Sequence, residues 1–296
     1  MVWTIIYARV HAAEYSWSIG RRQLGDFLQS LPWTADGLFW ITAGLGLASL
    51  ALVKGERRKK FWLAGLLVFS IAAVSLSNYF SEHYFVMLLP ALCLLAGQAV
   101  SAAMQWSKAW AALPAGLVVL MWIVTVFHHR AVFFVLSPDQ VCKSLYRANP
   151  FIECRQISRY ISEHSAPDAR IAILGSEPEI LFYARRRSAT GYLAMYDLTA
   201  PHPYAREMQR EMIAEIEAAR PEYLIFFKQP VSWDLRLDFD RAMNTDLLAW
   251  VPKFAQDFYE PIGEVIVKPE SEYYWGNDMP HRSLAGEQFI SIYKRK

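Results

Sequence analysis

The sequence predicts an α-helical membrane bundle of about four transmembrane helices followed by a soluble α/β exterior domain with a partly parallel sheet. Three observations predict it. Long apolar runs fill roughly the first 130 residues, and a charged, proline-punctuated sequence fills the remainder. Of the 296 residues, 54% are hydrophobic, yet 20% are charged, which is too many for a protein made only of spans. After residue 128, helical and strand-like patterns alternate, as they do in layered α/β domains. The expected division is an exterior or interfacial segment over 1–36, membrane helices over 37–127 and an exterior domain over 128–296.

Residues Val2 to Asp36 scatter charges among tryptophans and tyrosines and never reach the length of a span. Met1-Val2-Trp3-Thr4 lacks a basic region, apolar core and small-residue cleavage site. The first apolar window is therefore expected to act as the insertion signal, unless the chain is the tail of something longer. Four apolar windows follow: Gly37 to Val53, Phe61 to Ser77, about Tyr84 to Met104, and Ala111 to Phe127. Crossing the hydrocarbon takes roughly 17 to 25 apolar residues, so each window is read as a span. Pro90 lies in the third and is expected to kink it. Lys54, Arg57, Arg58, Lys59 and Lys60 crowd the first connection, which the positive-inside rule places in the cytoplasm. Counting crossings then puts Asn78 to His83 and everything beyond His128 outside.

The exterior domain starts with a connector, Ala131 to Pro150. Phe151 to His164 has helical spacing, and Ile171-Ala172-Ile173-Leu174 reads as a strand ended by Gly175. Tyr204 to Ala219 is a helix stopped by Arg220-Pro221, and Tyr223 to Phe227 a buried strand. A helix over Thr245 to Phe258 precedes strands at Gly263 to Val267 and Phe289 to Tyr293. Of three cysteines, Cys93 falls in a span and reads as a packing residue. Cys142 and Cys154 are a candidate disulfide, should the exterior be an oxidising periplasm.

Glu82-His83-Tyr84-Phe85, running into Leu88-Leu89-Pro90-Ala91-Leu92, resembles the late-span signature of bacterial membrane glycosyltransferases of the dolichyl-phosphate-mannose–protein mannosyltransferase type. Asn149-Pro150-Phe151, Gly175 to Ile180, Tyr183 to Ala189 and Ala219 to Tyr223 resemble the exterior domain attached to some of them. The resemblance runs from roughly Tyr79 to Trp233. It implies a polyprenyl-phosphate-linked sugar as donor, inverting transfer on the outer face of the inner membrane, and no cofactor. The family's catalytic acid lies in an exterior loop after the first of many spans. This chain has no such loop, so the resemblance implies the C-terminal part of such an enzyme, and no catalytic residue is assigned.

The candidate substrate-binding residues are Tyr79, Glu82, His83, Tyr84, Arg130 and Glu177. Aromatic rings and titratable groups where a polar turn meets an apolar helix suit headgroup depth. There Tyr79, Glu82, His83 and Tyr84 form either an interfacial anchor or a contact to a lipid phosphate. His128-His129-Arg130 is either a snorkelling flank or a polyprenyl-phosphate contact, where the guanidinium fork takes two phosphate oxygens. Glu177, in Gly175-Ser176-Glu177-Pro178-Glu179, ends a strand where α/β sheets place ligands. It reads either as a sugar contact or as part of a capped helix start. Arg185-Arg186-Arg187 reads as a solvated face or a headgroup contact. Nothing matches G-x-G-x-x-G, a P-loop or H-E-x-x-H, and no metal site is expected. A net charge of +2 without a basic stripe gives no nucleic-acid partner. Membrane lipids and the sugar donor are the expected partners. The rival class is a non-catalytic, membrane-anchored periplasmic α/β module that binds sugar, lipid or a partner protein.

Overall fold

The structure, a computed structural model, describes residues 17–30, 37–52, 55–75, 80, 82–146, 149–200, 202–233, 246–279 and 287–296. The chain divides into two compact units, Met1–Leu136 and Ser137–Lys296. The break falls beyond residue 128 because the chain turns at His129 and coils again over Arg130–Phe134 before leaving the first unit.

The first unit is helical: α1 (Trp17–Ser30), α2 (Gly37–Leu52), α3 (Arg57–Ser75), α4 (Leu89–Trp106), α5 (Lys108–His128) and α6 (Arg130–Phe134). A tighter 3-10 stretch, Glu82–Leu88, feeds directly into α4. Among the described residues one helical stretch, His83–Gln105, is long and apolar enough to cross a membrane. The four-span bundle is thereby overturned, and the assignment of sides loses the crossings it was counted from. Helix length is the reason. At about 1.5 Å per residue, the 16 residues of α2 rise only about 24 Å against a hydrocarbon core of about 30 Å. Helix α3 spends its first turn on Arg57, Arg58, Lys59 and Lys60. The apolar part of α5, Ala112–His128, is also short. Pro90 sits in the first turn of α4, where the 3-10 stretch gives way to α-helix.

Helices α2 and α4 make the tightest contact of this unit, and small residues make it possible. Thr42, Ala43, Gly46 and Ser49 are buried on α2, and Ala91, Ala96, Ala99 and Ala102 on α4. A Cβ on Gly46 would overlap the backbone carbonyl of Leu95. Thr42 Oγ1 and Ser49 Oγ donate back to Leu38 O and Gly46 O, each at 2.7 Å, so the hydroxyls are satisfied within their own helix. Phe27 of α1 stacks on Phe85 with ring centroids 3.7 Å apart.

The second unit is built on a six-stranded mixed sheet in the order β2-β1-β3-β6-β4-β5. Its strands are β1 (Arg170–Leu174), β2 (Arg187–Ser188), β3 (Tyr223–Lys228), β4 (Tyr259–Ile266), β5 (Glu272–Trp275) and β6 (Phe289–Arg295). Strands β2, β1 and β3 run parallel, with Ile171 opposite Tyr223 and Leu174 opposite Phe226. Strand β6 is antiparallel to both β3 and β4, and β5 closes the far side as a hairpin partner of β4.

Among the described residues six α-helices accompany the sheet: α7 (Pro138–Tyr146), α8 (Phe151–His164), α9 (Glu179–Ala184), α10 (Tyr196–Thr199), α11 (Ala205–Ala219) and α12 (Asp246–Phe258). Cys154, Ile157 and Ile161 of α8 pack with Ile180 of α9 onto Ile171, Ile173, Ile225 and Phe227. Side chains alternate along a strand, so Ala172, Leu174 and Leu224 point to the opposite face. They too are fully buried, so both faces are covered. The expected connector over Ala131 to Pro150 contains α6 and α7. Arg186 is not a solvated residue: its Nη2 donates to Ser162 O at 3.0 Å and Ser165 O at 2.7 Å. It thereby caps the carbonyl end of α8.

Candidate functional site

In an open sheet, ligands meet the chain beyond the carboxyl ends of parallel strands. Here β1 ends in Gly175-Ser176-Glu177-Pro178-Glu179, and its neighbour β3 ends in Gln229-Pro230-Val231-Ser232-Trp233. Gly175 is required at the junction, because a Cβ there would run into Glu177 Oε2 and the Phe227 ring. Ser176 clasps the two turns: its hydroxyl donates to Ser232 O at 2.7 Å and accepts from the Met195 N–H at 2.8 Å. Trp233, wholly buried, donates Nε1–H to Phe227 O at 2.7 Å, and Thr199 donates its hydroxyl to Trp233 O at 2.8 Å.

Between these turns lies a buried polar cluster. Glu177 is 4% exposed, and burial pushes its carboxyl up to about 8, with Glu179's charge adding to the rise. The nearby Ser232 hydroxyl and the Ser176 backbone pull the other way and lose. Glu179 is also raised, chiefly by burial, with the Cys154 thiol as a hydrogen-bonding neighbour that opposes the rise. The Cys154 thiol is pushed well up by its own burial and then by Glu179 and Glu177. Gln229 is fully buried, and neither end of its amide has a hydrogen-bond partner among the described residues. At neutral pH the protonated form of Glu177 therefore predominates, and its Oε2 has no hydrogen-bond partner among the described residues.

The alternatives left for the Gly175–Glu179 stretch are resolved in part. Glu179 is the first residue of α9, but Pro178 precedes it and no side chain caps the helix. Glu177 is buried between the two turns. Gln229 and Ser232, which complete the cluster, went unmarked in sequence, and Cys154 was marked only as a disulfide candidate. The signal for Gln229 and Ser232 was their place just after a buried-strand run, readable only once β3 is known to pair in parallel with β1.

The other candidate residues lie in the helical unit. His83 is exposed at the start of the span-length stretch, its ring edge-on to Tyr84 at 4.4 Å. Tyr84 is half-buried against the helical core. Glu82 opens the 3-10 stretch, and Tyr79 lies outside the described residues. Arg130 folds back over the Phe127 ring, 4.7 Å from its centroid, and donates to Phe127 O at 3.1 Å.

The cysteines proposed as a disulfide are both free thiols here. Cys142 lines a cleft of about 660 Å³ with Lys143, Glu153, Lys268 and Gln288, all within the α/β unit. Burial and the carboxylates of Asp139 and Glu153 raise its thiol. A maleimide reagent is expected to modify Cys142 in the folded protein and Cys154 only after denaturation, as read by peptide mass mapping. Modification of Cys154 at the same rate as Cys142 would contradict its burial. Among the described residues no group of three or more His, Cys, Asp or Glu side chains is arranged to hold a metal ion.

A scan against protein-family models and searches of curated proteins and of solved structures return no match to this chain.

Proposed function

We propose that this chain is a membrane-anchored α/β module that binds a ligand at the bilayer surface and is not by itself a complete transferase. The observation that carries the reading is the outward face of the helical unit. Phe61 and Phe69 are each 76% exposed, and Trp62, Ile71, Leu113, Trp122, Ile123 and Phe127 also face outward. Soluble monomers rarely expose apolar surface on this scale, whereas a bilayer solvates it. The small-residue contact of α2 with α4 agrees, since helices in lipid associate by close backbone approach and not by burying apolar area.

Binding is favoured over catalysis by the state of Glu177. Activating an acceptor hydroxyl needs an ionised carboxylate within reach of it. Glu177 is buried and raised to about 8, so it suits donation of a hydrogen bond to a polar ligand. The ligand class we favour is a polyprenyl-phosphate-linked sugar, on the resemblance of Glu82 to Phe85 and of Gly175 to Ile180 to the mannosyltransferase-type enzymes.

Two measurements on membranes from expressing cells test this. The chain is expected to stay in the pellet after alkaline carbonate extraction, and release into the supernatant would end the anchoring reading. A lipid-linked sugar transfer assay with the chain alone is expected to give no product above background. Transfer by the chain alone would end the non-catalytic reading.

A further inference from the structure

The end of α5 and the turn of α6 form an apolar groove of about 460 Å³ lined by Trp122, Ile123, Val126, Phe127, Phe134 and Arg130. Arg130 is the one charged residue in that lining. We propose that this groove holds one acyl tail of an anionic glycerophospholipid whose phosphate rests on Arg130. The inference rests on the membrane-anchored reading and adds a specific lipid to it.

Shape and polarity select a chain over a sugar. Apart from Arg130, every lining side chain is apolar, so the hydroxyls of a saccharide would find no partners inside. Trp122 is 62% exposed, Phe127 68% and Phe134 75%, so the walls are open to a lipid tail and not closed by the unit's own core. The cation is held in place at this groove. Stacking over Phe127 and the bond to Phe127 O fix the guanidinium, while among the described residues only one of its five N–H groups is spent. A planar fork with donors to spare is suited to two oxygens of one phosphate.

Charge decides which lipid. The sequence from Gln105 to Ser137 contains no aspartate or glutamate, whereas Lys108 and Arg130 both lie within it. The positive charge of Arg130 is therefore not compensated by its own segment. A zwitterionic headgroup brings its own cation to that place, and an anionic headgroup does not. The same uncompensated charge gives the site a salt dependence.

The test uses the full chain in vesicles of phosphatidylcholine alone or with about one-third phosphatidylglycerol, a content at which anionic lipid charges the surface. After transfer to mild detergent, retained lipid is identified by native mass spectrometry. Phosphatidylglycerol is expected to stay with the chain well above its share of the vesicle. Arg130→Gln and, independently, Phe134→Ser should lower that retention several-fold without changing incorporation. Retention in proportion to abundance, or unchanged retention in Arg130→Gln, overturns the lipid site and leaves the anchoring reading standing. Displacement of phosphatidylglycerol by an added polyprenyl phosphate in an Arg130-dependent way also overturns it, in favour of an isoprenoid occupant. Failure to incorporate into either vesicle overturns the anchoring reading itself.

Discussion

Glu177→Gln is expected to stabilise the α/β unit at neutral and alkaline pH and to flatten the pH dependence of its unfolding. In the unfolded chain a glutamate ionises near its ordinary value of 4.5, whereas in the fold Glu177 keeps its proton to about 8. Between those values the folded protein binds a proton that the unfolded chain has released. Stability therefore falls as pH rises through that window, is fully present below it and levels off above it. Glutamine is close to the protonated acid in shape and has no charge to bury. The expected gain at pH 8 is on the order of 2–4 kcal/mol, somewhat below the full linkage of about 1.4 kcal/mol per pH unit, because the amide is desolvated too. Denaturant unfolding of the full chain at several pH values, followed by hydrogen exchange of β1 and β3 peptides, reads this directly. If wild type and variant show parallel stability profiles from pH 5 to pH 8, Glu177 is not the buried acid described here.

Gly46→Val should break the helical unit, whereas Gly44→Ala should leave it intact or firmer. The two glycines lie on one helix in opposite circumstances. A Cβ at Gly44 meets nothing, while at Gly46 it meets the backbone of Leu95, which cannot rotate away as a side chain can. Helices α2 and α4 would have to separate, loosening Ala43 and Leu95 from their cluster and breaking the 3.4 Å bond from Gln98 Nε2 to Ser49 Oγ. Overpacking of this kind costs about 3 kcal/mol. Replacing a free helical glycine with alanine gains about 0.5–1 kcal/mol. Thermal denaturation of the detergent-solubilised chain, read by size-exclusion chromatography, separates the two. Equal midpoints for the variants would show that α2 and α4 do not pack through Gly46.

The sequence carried more about the α/β unit than about the helical one, and the reason is physical. In Phe151–His164 and Ala205–Ala219 one buried face repeats with a helical period, and Tyr223–Lys228 is a continuous apolar run buried on both faces, so pattern alone located them. Helix α7 escaped because it is only nine residues long and none of them is buried, so its short apolar stripe of Val141, Cys142 and Leu145 was read as connector. Strand β5 is four half-buried residues and leaves almost no alternation. In the helical unit apolarity was plain, but apolarity does not say how many residues stay helical, and length decides a crossing. Of the site, Gly175–Glu179 was legible because a turn rich in small and acidic residues ends a buried strand. Its opposite half, Gln229–Trp233, belongs to it only through strand pairing, which no single stretch of sequence encodes.

The two outermost strands of the sheet also bear on how this protein behaves in company. Strand β2 is two residues long and β5 four, so the unpaired backbone groups at either edge form only a short row. Trp275, the last residue of β5, is covered on one side by the stacked ring of Tyr160 at 4.0 Å and on another by the backbone of Gly263. Edges this short are poor templates for another chain's strand. Under the membrane anchoring proposed above, copies of the chain would meet at high local density. There the stunted edges favour a dispersed population over one that zips together sheet to sheet.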